Sequence, residues 1–183
     1  MALTPSNMLP LGTSAPDFTL PAPKTGEQYS LQQLAGDKGT LVMFICNHCP
    51  FVIHVENQLK QLGMDYQNSG IGIVAISSND ADTYPQDGPQ KIAQKNTPFP
   101  YLYDQSQQVA RAYDATCTPD FFLFDANLKL AYRGQLDDSR PGNNIPVTGS
   151  DLRAAMDALL AGEAINPQQH PSIGCNIKWR QQD

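Results

Sequence analysis

Apolar positions along the chain change period several times, and each change marks an element. Ala15–Leu20 alternates polar and apolar residues, and Pro21-Ala22-Pro23-Lys24-Thr25-Gly26 supplies a turn, so an N-terminal β-hairpin is expected. Leu41–Ile45 is a continuous apolar run suited to a strand buried on both faces. From Asn47 to Leu62 the period becomes helical: Val52, Val55, Leu59 and Leu62 share one side, His54 falls on the polar side, and Gly63 is the stop. Ile71–Ser77 is a second β-branched strand. Lys91–Asn96 reads as a short helix, and Asp104 as the cap of one reaching Asp114, with Val109, Ala110 and Tyr113 inward. Phe121–Phe124 and Leu128–Arg133 read as paired strands across Asp125-Ala126-Asn127. Gly134–Thr148, rich in Gly, Pro, Asn and Asp, is a long loop, either functional or mobile. Thr148-Gly149-Ser150-Asp151 has the pattern of a capping box. The helix it opens carries Leu152, Ala155, Met156, Leu159 and Leu160 on one face and stops at Gly162.

This order gives an α/β fold with a central mixed sheet, and right-handed crossovers place helices on both faces. The 183 residues suit a single domain, 1–183, with a C-terminal tail from about residue 163. Charge narrows the function. The net charge is −6 and no basic stripe interrupts it, which argues against nucleic acid. The longest apolar run, Leu41–Cys46, falls far short of the ~20 residues that span a bilayer, so no membrane partner is expected. Met1–Phe18 lacks Lys and Arg, and Pro5 and Pro10 interrupt it, unlike a secretory signal. A cytoplasmic location follows, and there four cysteines are better read as reactive or metal-binding than as staples.

Cys46-Asn47-His48-Cys49-Pro50 sits where the buried strand becomes the amphipathic helix. Unpaired N–H groups and the helix dipole at such a junction stabilise a thiolate. Two intervening residues put the sulfurs in disulfide reach. Cys46 is then the exposed nucleophile and Cys49 the deeper resolving thiol. Pro50 falls in the first turn, where a missing N–H costs least. A zinc half-site would need a second close pair, which Cys117 and Cys175 do not form. His48 tunes the pair if it faces the thiols, since a charged imidazole favours the thiolate and makes the disulfide easier to reduce; otherwise it is a surface residue. No cofactor or metal is implied beyond the Cys46–Cys49 disulfide itself.

Cys-x-x-Cys at a strand-to-helix junction, with Thr118-Pro119 later before an apolar strand, resembles the thioredoxin superfamily. The resemblance implies a thioredoxin-like fold in which Pro119 is cis, and Thr118 and Pro119 face the dithiol and the substrate. More closely, Ala15–Leu20, Cys46–Val52, Cys117–Phe121, Gly134–Gly142 and Pro171–Trp179 resemble the peroxiredoxin-like branch of the alkyl hydroperoxide reductase / thiol-specific antioxidant superfamily. By that resemblance the partners are a protein or small-molecule disulfide, or a hydroperoxide, and an external thiol donor.

Departures from relatives choose between these chemistries. Peroxiredoxins carry Pro-x-x-x-Thr-x-x-Cys; here Gly39 and Met43 stand at the Pro and Thr positions, and Thr118-Pro119 where the arginine would be. Without those donors a peroxide O–O bond is not polarised. Disulfide exchange is therefore the expected activity, with thiol peroxidase chemistry at Cys46 and a metal- or partner-binding module as the alternatives. Thr40 and Val52 replace the acidic residues that relatives place near the second cysteine, leaving Glu56 or water as proton acceptor for Cys49. Cys117 is either an accessory thiol at the same site or a small residue packed behind the loop. Cys175 is either a C-terminal resolving thiol or a residue that holds the tail down with Trp179.

Overall fold

The computed structural model describes residues 3–181. Its strands and helices are, in chain order, β1 (Leu3–Pro5), β2 (Thr19–Ala22), β3 (Glu27–Ser30), α1 (Leu31–Leu34), β4 (Gly39–Phe44), α2 (Pro50–Asp65), β5 (Ile71–Ser77), α3 (Pro89–Ala93), β6 (Tyr101–Tyr103), α4 (Gln108–Ala112), β7 (Cys117–Thr118), β8 (Asp120–Asp125), β9 (Leu130–Gly134), α5 (Ser150–Ala161) and β10 (Ile173–Asn176). The central sheet runs β6-β5-β4-β8-β9. β4, β5 and β6 are parallel, whereas β8 and β9 join antiparallel, so the sheet is mixed as the element order implies.

β4 is buried along its whole length because both of its faces are covered. Leu41 and Met43 meet Val52, Val55 and Leu59 of α2 and Leu152, Ala155 and Met156 of α5. Val42 and Phe44 face the opposite cluster with Phe18, Leu31, Ala110 and Tyr113. There Tyr113 packs edge-on against Phe122 and Phe124. The alternation of side chains along a strand thus divides one apolar run between two cores.

Several boundaries differ from the sequence reading. The hairpin is β2 with β3, so Pro21 and Ala22 belong to a strand and the turn begins at Pro23. Gly63 does not end α2; it lets the helix press on the Pro98–Phe99 loop, where a Cβ would stand 2.6 Å from Pro98 Cγ. No capping box opens α5. Gly149 is its N-cap at φ 72°, and Asp137 Oδ2 instead accepts the N–H groups of Thr148 and Gly149 at 2.7 and 2.6 Å. Asp104 lies outside the shorter helix α4 but still accepts the Ala110 N–H at 3.0 Å. β6 was not expected, because three aromatic-flanked residues are too few to show a period.

The tail folds back into the molecule. β10 lies between β1 and β7 in a small antiparallel sheet, pairing Cys175 with Leu3 on one side and Thr118 on the other. Trp179 packs against the second core under the Arg111 guanidinium, 4.4 Å from the ring centre.

Candidate active site

The site forms where β4 ends and α2 begins. After Phe44 the chain leaves the sheet through Ile45 and Cys46, and α2 starts at Pro50 with Cys49 as its N-cap. The helix therefore begins later than the sequence pattern suggests, and Cys49, not Cys46, occupies its N-terminus. Both thiols are buried, with Cys46 3% exposed and Cys49 fully enclosed, which corrects the expectation of an exposed Cys46. A narrow cavity lined by Ile45, Cys46, Asn47, Val52, Leu59 and Phe99 gives Cys46 its way out.

The Thr118–Pro119 peptide bond is cis. The turn it makes faces the dithiol: Thr118 Oγ1 lies 3.5 Å from Cys46 Sγ, and the Cys49 S–H donates to the Thr118 carbonyl at 3.3 Å. Cys46 and Cys49 hydrogen-bond to each other and titrate as a unit. That mutual bond, opposed by burial and helped by Cys175 and the Val52 amide, lowers Cys49 to about 4. The same bond, with burial and the Asp87 charge, holds Cys46 far above the ordinary thiol range.

Asp87 is the residue the sequence reading missed. It is fully buried at the end of a 3₁₀ turn, Pro85–Asp87. Its Oδ1 accepts the N–H groups of Asn47 at 2.7 Å and His48 at 3.2 Å, and its Oδ2 pairs with His48 Nδ1 at 2.5 Å. Asn79 Nδ2 donates to the same oxygen at 2.8 Å. The carboxylate thus fixes the two residues between the cysteines and their only ring. His48 stacks flat on Tyr84 at 5.2 Å. Nothing in the local pattern around Asp87 signals this; only its approach from the β5–β6 crossover does.

The other candidates divide. Asn47 spends its side chain structurally, donating to the Gln86 carbonyl and accepting from the Tyr101 hydroxyl. Cys175 is buried in the same cluster as Cys46 and Cys49, on a strand that pairs it with Thr118. Cys117 packs behind the loop with its thiol toward the Pro119 carbonyl at 3.6 Å. Beside it Asp120 is buried, and burial raises its carboxyl well above the usual range. Glu56 is turned to Lys95 and Lys60, at 3.0 and 3.2 Å. Burial opposes its ionisation, but those two lysines hold its carboxyl below the usual value, so it is a poor proton acceptor. His54, expected at the surface, bonds Ser139 at 2.8 Å and ties α2 to the long loop.

Hydrogen bonds brace the start of that loop. Asp137 accepts the Ser139 N–H, and Arg140 donates to the Asp137 and Ser139 carbonyls and to Gln135 Oε1. Leu136, Arg140 and Pro141 line a groove with Phe51 and Pro119. The only grouping of metal-type donors among the described residues is Cys46, His48 and Asp87, within 4.8 Å of one another. Two of these three, His48 and Asp87, are already bonded to each other.

A mixed sheet sandwiched by helices, with a dithiol at a strand–helix junction and a cis-proline against it, defines a thioredoxin-fold redox protein. Within that class the chain belongs to the Redoxin family, which matches residues 10–152. It is similar to the thiol-disulfide oxidoreductase ResA of Geobacillus thermodenitrificans, 29% identical over 131 residues that cover 69% of this chain and 70% of that protein. An uncharacterized conserved protein from Geobacillus kaustophilus superposes with a TM-score of 0.97 at 54% identity, covering 100% of this chain and 99% of the other. A protein described as a thiol:disulfide interchange protein DsbE, from Chlorobium tepidum, gives 0.66 at 27% identity, covering 84% of this chain and 99% of its own.

Proposed function

We propose that this Redoxin-family chain is a thiol-disulfide oxidoreductase in which Cys46 attacks and Cys49 resolves. The observation that carries the reading is the Cys46–Cys49 pair held against the cis Thr118–Pro119 turn, each sulfur bonded to Thr118. Resemblance to named thiol-disulfide oxidoreductases supports it.

Cys46 is the thiol that lines the outer cavity, so a substrate disulfide meets it first. At rest the pair carries one negative charge and one proton. As the substrate sulfur approaches, the proton moves from Cys46 to Cys49 along their hydrogen bond, and the Cys46 thiolate attacks. A mixed disulfide forms and one substrate thiolate leaves. Cys49 then attacks Cys46 Sγ, releasing the second substrate thiol and closing the Cys46–Cys49 disulfide. Cys49 is thus the base for Cys46, and its own proton leaves with the second substrate thiol. The Thr118 edge orients the incoming disulfide, and an external thiol donor restores the dithiol. The substrate is a disulfide on a protein or small molecule, and the reaction belongs to the cytoplasm, where thiol donors keep a dithiol reduced.

The test is a pair of variants assayed for reduction of a model disulfide. Cys46→Ser is expected to abolish exchange, and Cys49→Ser to accumulate mixed disulfides with the substrate. Exchange that survives Cys46→Ser would sink the assignment.

A further inference from the structure

We propose that Cys175 is a third redox thiol, which attacks Cys49 in the Cys46–Cys49 disulfide, moves the bond to Cys49–Cys175 and sets Cys46 free. The proposal rests on the Cys46–Cys49 reading and adds a step to it. In that step the Cys49–Cys175 bond forms as the Cys46–Cys49 bond breaks. The thiol proton of Cys175 ends on Cys46, and no outside oxidant or reductant takes part.

The fold places Cys175 for this. Its side chain is buried in the same cluster as Cys46 and Cys49. Its strand, β10, pairs Cys175 with Thr118, the residue whose carbonyl accepts the Cys49 S–H. The backbone there is so close that a Cβ on Gly174 would lie 1.9 Å from that same Thr118 oxygen, so only glycine lets β10 sit against the cis-proline turn. Ser172 Oγ fixes the entry of the strand by donating to the Pro119 carbonyl at 2.6 Å, and the Ile177 N–H fixes its exit on the Thr116 carbonyl at 3.0 Å.

Burial gives the step its consequence. Cys175 is 2% exposed and Cys49 is fully enclosed, so a disulfide between them is shielded from external thiols. Cys46, on its cavity, becomes a reactive thiol again while the chain stays oxidised. Oxidised protein then divides between a form that a donor reduces through Cys46 and a form that stores the disulfide inside.

The experiment needs no variant for its main readout. Wild-type protein is oxidised to one disulfide per chain with oxidised glutathione, freed of excess reagent, acid-quenched and alkylated with iodoacetamide. Peptides are then mapped by mass spectrometry. The expected result is a Cys49–Cys175 linked peptide together with alkylated Cys46, and loss of that Cys46 labelling in Cys175→Ser, where only Cys46–Cys49 remains. Wild-type protein with Cys46 wholly unlabelled and Cys46–Cys49 as its sole disulfide would overturn the relay and leave the two-cysteine reading standing. Absence of a Cys46–Cys49 bond in Cys175→Ser would overturn both.

Discussion

A single buried carboxylate organises the dithiol. Asp87 accepts two consecutive amides, from Asn47 and His48, and pairs with the imidazole. A buried carboxylate without partners is costly, so each of these donors offsets the burial of Asp87. Its charge also raises Cys46, and the imidazole stands between the two effects. Replacing His48 by Leu leaves the Asp87 charge facing Cys46 and disfavours the thiolate. The dithiol–disulfide equilibrium with glutathione should then shift toward the disulfide by roughly tenfold, on the order of 30 mV. An unchanged equilibrium would mean that His48 only packs on Tyr84. Asp87→Ala removes the acceptor itself and is expected to cost about 3 kcal/mol in urea unfolding, the scale for breaking a buried pair. His48 was legible as a tuning residue because it lies between the cysteines. Asp87 was not, because its partners are distant in sequence and a lone Asp before Gly reads as a turn.

Among the elements, β10 links the tail to the chemistry. It pairs with β1 on one edge and with β7 on the other, and β7 carries the cis turn against the cysteines. Gly174→Ala puts a methyl group into the Thr118 carbonyl and must push the two strands apart. The expected outcome is faster hydrogen exchange at the Ile177 amide, which bonds to Thr116, and slower disulfide exchange, because Thr118 no longer faces Cys46 squarely. Protection equal to wild type at that amide would show that the strand yields without cost. The long strands and both long helices were readable from period alone, since each buries enough residues to set a pattern. β1, β7 and β10 were not, since strands of two to four residues leave no periodic trace and exist only through their partners.

At the scale of the whole molecule, the shared proton couples folding to pH. In the unfolded chain both thiols ionise near the ordinary value of about 8.5. In the folded chain the pair gives up its first proton far lower, with Cys49 at about 4, and keeps the second. Between these values the folded state binds fewer protons, so stability rises with pH. Above the ordinary thiol value the unfolded chain loses both protons while the folded pair retains one, and stability falls. Reduced protein should therefore show a urea midpoint that climbs from roughly pH 5 to a maximum near the ordinary thiol value, relative to a Cys46→Ser/Cys49→Ser double variant. A difference that stays flat with pH would mean that the pair holds two protons when folded. Sequence by itself determined the α/β order, the two-faced sheet, and the Cys46-Asn47-His48-Cys49 motif at a strand–helix junction. Those features are local: hydrophobic period and residue spacing write them within one stretch of chain. Tertiary structure alone decided that Cys49 takes the helix N-terminus, that Asp87 grips the motif, and that β10 brings Cys175 opposite Thr118. Each of those depends on a crossover or a tail returning to the end of β4, and such closures are chosen by packing across the sheet rather than by neighbours along the chain.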